Sequence, residues 1–213
     1  MPSPLSPAAA HAAFLAAAAA SPRLVPACTR FYFLRHGQTA RNAARIFQDA
    51  DEPLDATGRA QAAAAARLLA ASGIAGIVAS DMRRTRETAA AVDGQCAAGV
   101  ETRAALRERH FGVLIGTSSI GLDWGCAPEG GETLAQFVSR TAIGLADALA
   151  RPAPVLVVAH GGTLHALAAL LGMEPTAAWF ANALPLRLDR SGTGWTATPL
   201  ATAATADAIR HLS

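Results

Sequence analysis

The chain has 213 residues, of which 52% are apolar and 5% aromatic, and 18 basic against 16 acidic residues leave a formal charge of +2. That length and apolar content excludes intrinsic disorder, and the small excess charge with few aromatics excludes a nonspecific nucleic-acid binder. No run of about 18 apolar residues carries the flanks of a membrane span, so a soluble globular protein without nucleic-acid or membrane partners is expected.

Every one of the 18 basic residues is arginine, which in so alanine-rich a chain reflects composition bias rather than a surface built for polyanions. Cys28, Cys96 and Cys126 are scattered and form no C-x-x-C pair, so they read as free thiols rather than a disulfide framework or zinc site. A reducing, cytoplasmic location fits them best.

Residues 1–28 form an alanine- and proline-rich extension, read as a short helix or a frayed tail ahead of a domain over 29–213. It lacks the basic start of a secretory signal, because the first arginine, Arg23, follows the apolar stretch. Phe31–Leu34 is a short aromatic and apolar strand. A helix is predicted over Ala56–Ser72 with Gly73 as its stop, then a strand over Ile74–Ala79. A second helix follows over Asp81–Val92, with Ser80 or Asp81 as N-cap. Val100–Arg103 is a short third strand, Glu132–Ala150 a long helix, and Pro154–Ala159 the clearest buried strand. Thr163–Leu171 is the last predicted helix, and Leu184–Leu188 and Trp195–Leu200 flank a Ser-Gly-Thr-Gly turn as a hairpin.

Strands alternating with helices predict an α/β fold: a three-layer αβα sandwich with a mostly parallel central sheet and an antiparallel strand near the C-terminus. Ligands of such sheets bind beyond the carboxyl ends of the strands. At those ends stand Arg35-His36-Gly37, Ser80-Asp81 followed by Arg83, Arg84 and Arg86, and His160-Gly161-Gly162. Arginine presents a permanently charged fork suited to a phosphate dianion, and a glycine at a helix start brings backbone N–H groups close to an anion. Thr39 and Asn42 add neutral donors. A histidine among arginines is held neutral, and a neutral imidazole is a nucleophile. The expected chemistry is phosphoryl transfer with the charge carried by arginines, for which no metal or cofactor is needed.

Arg35-His36-Gly37-Gln38-Thr39-Ala40-Arg41-Asn42 matches R-H-G-(E/Q)-T-x-x-N, and Ser80-Asp81-Met82-Arg83-Arg84-Thr85-Arg86-Glu87-Thr88-Ala89 is similar to S-D-L-x-R-A-x-x-T-A. Leu106–Gly112 is similar to L-x-E-x-x-(F/Y)-G, and Val158–Gly162 to a second-histidine motif, with Glu129–Thr133 and Asn182 as further landmarks. In this order the motifs resemble the histidine phosphatase superfamily, the phosphoglycerate-mutase-like proteins, over roughly Arg30 to Leu200. The resemblance implies that His36 is the nucleophile and Glu108 the general acid and then base. It also implies that Arg35, Arg84, His160, Asn42 and the Gly161 N–H hold the phosphate. The fifth position of the second motif selects Arg84 over Arg83 and Arg86, which are expected on a solvated helix face.

Plainer roles are expected elsewhere. His110 and His165 read as structural; Trp124, Trp179 and Trp195 fill core or rim space. His160 and His165 have the wrong spacing for a metal pair. Glu108 could be a simple ion-pair partner of Arg107 or Arg109. The seventeen residues Val113–Glu129 contain no basic residue and are a short cover for the site. This favours water as acceptor, hence a phosphomonoesterase acting on a small phosphorylated metabolite. The alternatives are a phosphoglycerate-type mutase, which Glu108-Arg109-His110-Phe111-Gly112 resembles, and a non-catalytic phospho-ligand binder. Two segments depart from the family pattern: Arg45–Leu54 lacks a glycine, and Val113-Leu114-Ile115-Gly116 puts aliphatics where acidic and aromatic residues are frequent. A less acidic, more apolar pocket rim is expected from them.

Overall fold

Three of the six strands in the computed structural model are buried along nearly their whole length, as a sheet covered on both faces demands; the model describes residues 7–201. The strands are β1 (Arg30–Arg35), β2 (Gly76–Ser80), β3 (Val100–Arg103), β4 (Val155–Ala159), β5 (Pro185–Ser191) and β6 (Gly194–Pro199). They form one sheet in the order β3-β2-β4-β1-β5-β6. The pairs β3–β2, β2–β4 and β4–β1 are parallel; β1–β5 and β5–β6 are antiparallel. The first six residues of the expected extension and the last twelve of the expected domain lie outside the described residues.

Central β4 is buried along its whole length, which explains its unbroken apolar sequence. Its residues divide by parity. Val155, Val157 and Ala159, with Phe31 and Phe33 of β1, pack against α5 (Leu134–Leu149) and α6 (Gly161–Leu170). Leu156 and Val158, with Tyr32 and Leu34, pack against α3 (Ala56–Leu69) and α4 (Arg83–Cys96). The three-layer αβα sandwich expected from the sequence is therefore the observed architecture. A further helix, α1 (Pro7–Ala19), lies outside the sandwich against α5 and α6, where Phe14 and Ala17 meet Leu134, Phe137, Val138, Ala166 and Ala169. The one-turn helix α2 (Ala40–Ala43) follows β1. Among the described residues no helix is long and apolar enough to cross a membrane.

Two helix starts differ from the sequence reading. The N-cap of α4 is Met82, without a side-chain cap. The Ser80 hydroxyl meets His160 Nε2 at 3.0 Å and accepts from the Met82 N–H at 3.3 Å, one position ahead of the helix, and Asp81 is held by Arg107 at 2.7 and 2.6 Å. Helix α6 starts at Gly161, not Thr163, because the chain turns helical directly after His160, whose extended backbone is the N-cap. Both glycines thus fall in the first helical turn, where amide groups lack intrahelical partners.

Candidate active site

Register alone brings the two histidines together. Arg35 of β1 lies opposite Ala159 of β4, and the His36 N–H donates to the Ala159 carbonyl at 3.0 Å. The residues just beyond both strand ends are therefore neighbours, and the His36 and His160 rings are 5.3 Å apart. The loop after His36 is clamped from below. A Cβ on Gly37 would stand 2.4 Å from the Gly58 carbonyl, and one on Gly58 would stand 2.0 Å from that of Gln38. Only two glycines permit this crossing of the loop over the start of α3, where Asp55 caps Gly58 and accepts from Gln38 Nε2. The Gly37 N–H donates to Thr88 Oγ1, and Asn182 Nδ2 donates to the His36 carbonyl at 3.0 Å.

His36 is buried, and its Nδ1 lies 2.8 Å from the Gly37 carbonyl. A carbonyl only accepts, so Nδ1 carries the proton and Nε2 keeps its lone pair. Burial, reinforced by the Arg84 and Arg35 charges, holds the His36 imidazolium pKa well below the ordinary 6.5. His160 is shifted the same way by burial, then by Arg84, His36 and Arg35. Its Nδ1 is buried without a partner.

Arg35 and Arg84 flank the histidines from two strand ends. The Arg35 Nη1 donates to the Phe180 carbonyl, and Arg84 Nη1 to that of Asp49 at 2.8 Å. Among the described residues neither guanidinium has a carboxylate partner, and the Nε of each is buried without one. Burial lowers the Arg84 pKa to about 10, so it remains cationic at neutral pH, and burial lowers that of Arg35 as well. Arg84 is 2% exposed, whereas Arg83 and Arg86 sit on the outer face of α4, Arg83 paired with Glu87 at 2.9 Å. Helical phase thus selects the arginine that the motif selected.

Glu108 reaches the site from the loop after β3. Its Oε2 accepts from the Gly162 N–H and its Oε1 from the Arg109 N–H, each at 2.9 Å. It is no ion-pair partner of its neighbours. Arg107 is taken by Asp81, and buried Arg109 donates to the backbone carbonyls of Trp124, Cys126 and Glu132. Arg35, His36, Asn42, Arg84, Glu108 and Gly161 all line one cavity of about 1060 Å3. His160 stands directly behind His36 rather than on the cavity surface. Thr39 is not brought in: its hydroxyl donates to Gln48 Oε1 at 2.7 Å and accepts from the Asn42 N–H at 3.0 Å, capping α2. The remaining wall is aromatic, with Phe47 and Phe111 4.3 Å apart and Trp124, His165 and Phe180 beside them. Of the aliphatic segment after Gly112, only Ile115 faces the cavity; Val113 is exposed outside it.

Sequence reasoning left out Ser80, Arg109 and Phe180 as site-building residues. Ser80 and Arg109 lie inside the quoted motifs, so their positions were visible although their partners were not. Phe180 acts through its backbone carbonyl, for which side-chain identity carries no signal.

The strand-end histidines, two buried guanidiniums and a carboxylate at one helix start thus converge on one cavity. The sequence model of the histidine phosphatase superfamily (branch 1) matches residues 31–198. A probable phosphoglycerate mutase GpmB of Yersinia enterocolitica is 36% identical over 166 residues, 68% of this chain and 76% of the relative. The glucosyl-3-phosphoglycerate phosphatase of Mycobacterium tuberculosis H37Rv is 33% identical over 176 residues, 70% and 78% of the two chains. Among solved structures, a mycobacterial glucosyl-3-phosphoglycerate phosphatase in complex with VO3 superposes with a TM-score of 0.67 at 30% identity, covering 82% of this chain and 99% of that one. The motifs, the sheet order and the match over most of the chain agree, and the protein belongs to the histidine phosphatase superfamily.

Proposed function

We propose that the protein is a phosphomonoester hydrolase for small phosphorylated metabolites, working through a phosphohistidine on His36. The observation that carries this reading is the state of His36: Nδ1 pinned to a carbonyl, Nε2 free, and two buried guanidiniums beside it. In the first step Nε2 attacks phosphorus, the bond to the ester oxygen breaks, and Glu108 gives that oxygen a proton. Arg35 and Arg84 balance the charge on the equatorial oxygens, with the Gly161 N–H and Asn42 Nδ2 as further donors and His160 backing His36 from behind the cavity surface. In the second step Glu108 takes a proton from water, the oxygen attacks phosphorus, and the N–P bond breaks to release phosphate and neutral His36.

Water as acceptor is favoured by the charge at the cavity mouth. A mutase must hold a second phosphate, yet Arg107 and Arg140 are bound to Asp81 and Glu132, leaving Arg45 as the cation there without a carboxylate partner among the described residues. The relatives named as glucosyl-3-phosphoglycerate phosphatases agree with hydrolysis of a phosphorylated metabolite.

The test is p-nitrophenyl phosphate hydrolysis in excess chelator, with His36→Asn alongside. Chelator-resistant turnover is expected, falling by roughly 1000-fold or more in the variant. Turnover that survives the substitution, or that vanishes with chelator, overturns the reading. Interconversion of 2- and 3-phosphoglycerate without net phosphate release would make the protein a mutase.

A further inference from the structure

Helix α1 lies outside the stretch shared with the family, which begins at residue 31, yet it reaches the active site. Phe14 is completely buried. Its ring stands edge-on to Trp124 at 5.0 Å and stacks on His165 at 5.1 Å. His165 stacks in turn on Phe180 at 4.1 Å, and Phe180 supplies the carbonyl that orients Arg35. Trp124, His165 and Phe180 all line the cavity, whereas Phe14 stands behind them.

This wall sits where an ester's leaving group has to be. A Cβ on Gly162 would meet Glu108 Oε1 at 2.2 Å and Trp124 Cη2 at 2.9 Å, so the indole edge lies beside the carboxylate that would protonate the departing oxygen. The wall is also uncharged at neutral pH. Burial, with His11 and Arg35 nearby, lowers the His165 pKa to about 4. Trp124 is fixed in sequence only by its loop, whose anchor is the Arg109 bond to the Trp124 carbonyl at 2.7 Å. Its ring packs between Phe111 at 5.9 Å and His165 at 5.8 Å, and the nearest ring, at 5.0 Å behind it, is Phe14.

We propose that α1 is part of the substrate site: Phe14 is a positioning residue that holds Trp124 and His165 as an aromatic wall for an uncharged leaving group with a flat, apolar face. The inference rests on the phosphomonoesterase reading for calling this end the leaving-group side. Its physical content is selective affinity, because removal of the Phe14 ring opens a void into which Trp124 turns, and the wall retreats while the arginine pocket stays in place.

The experiment is titration calorimetry on the full chain with two non-hydrolysable ligands, naphthylmethylphosphonate and methylphosphonate. Wild type is expected to bind the naphthyl compound more tightly. Phe14→Ala is expected to weaken it about tenfold, and methylphosphonate less than about twofold. Phe14→Leu, which refills most of the space, restores most of the difference. Trp124→Ala removes the wall directly and gives the same selective loss even if Phe14→Ala does not fold. Equal weakening of both ligands in the Phe14 variants, an unchanged ratio in Trp124→Ala, or no naphthyl preference in wild type overturns the proposal. Neither ligand is turned over, so a wild type that binds both but hydrolyses no ester would overturn the hydrolase reading and leave the wall standing.

Discussion

Glu108 has two backbone N–H partners and, among the described residues, no cationic side-chain partner, so its carboxylate is oriented for the acid and base role proposed above. Glu108→Gln keeps the size and an acceptor oxygen but has no proton to shuttle. In single turnover, its phosphorylation by p-nitrophenyl phosphate, whose leaving group needs no proton, is expected near the wild-type rate. With an alkyl phosphate it should slow by about 100-fold. Equal loss on both substrates would remove Glu108 from the acid role. At this scale the sequence was informative where a residue type has one use. His36, Arg84 and Glu108 fit their motif positions, and the fold brings them to one cavity. Thr39 shows the limit: a hydroxyl serves a helix cap as well as a phosphate, and the competition is decided by Gln48, nine residues on, whose placement no local pattern encodes.

Elements built on periodicity were legible, and those built on distant side chain-to-backbone bonds were not. The apolar run of β4 and the helical stretches of α3, α4 and α5 follow from burial on known faces, so only their ends shifted. The loop between β3 and α5 has no such pattern. It is tied by Arg109 to the carbonyls of Trp124, Cys126 and Glu132, and by Arg140 to the carbonyls of Ala105 and Arg107. Arg109→Ala leaves three carbonyls without their donor, at a cost of roughly 2–4 kcal/mol. Limited proteolysis should then cut between residues 113 and 131 at protease levels that spare the wild type. Unchanged cleavage would show that the aromatic contacts alone hold the loop.

For the molecule as a whole, two buried imidazoles and one half-buried one, all neutral, link stability to pH. His36, His160 and His165 have folded pKa values below the ordinary 6.5, the last at about 4. Below about 6.5 the unfolded chain binds protons that the folded chain refuses, so stability falls as pH drops through that window. His165 alone accounts for a loss on the order of 2 kcal/mol by pH 5. The carboxylates with lowered values, such as Asp81 and Glu132, act lower, below their ordinary 3.8 and 4.5. The urea midpoint is therefore expected to fall between pH 7 and pH 5, and to fall less in His165→Phe. An equal fall in that variant would place the linkage elsewhere.

The sheet order also sets a timetable. The strand that separates β1 from β2 is β4, the last of the four parallel strands to be synthesised. Until residue 155 leaves the ribosome, β1 and β2 have no common neighbour, and each would have to wait with an unpaired edge or pair wrongly with the other. His36 has no Ala159 carbonyl to hold its backbone before then. The proposed nucleophile is therefore set in place by a residue made more than a hundred positions after it, and no nascent form that stops short of Ala159 can hold His36 as the folded protein does.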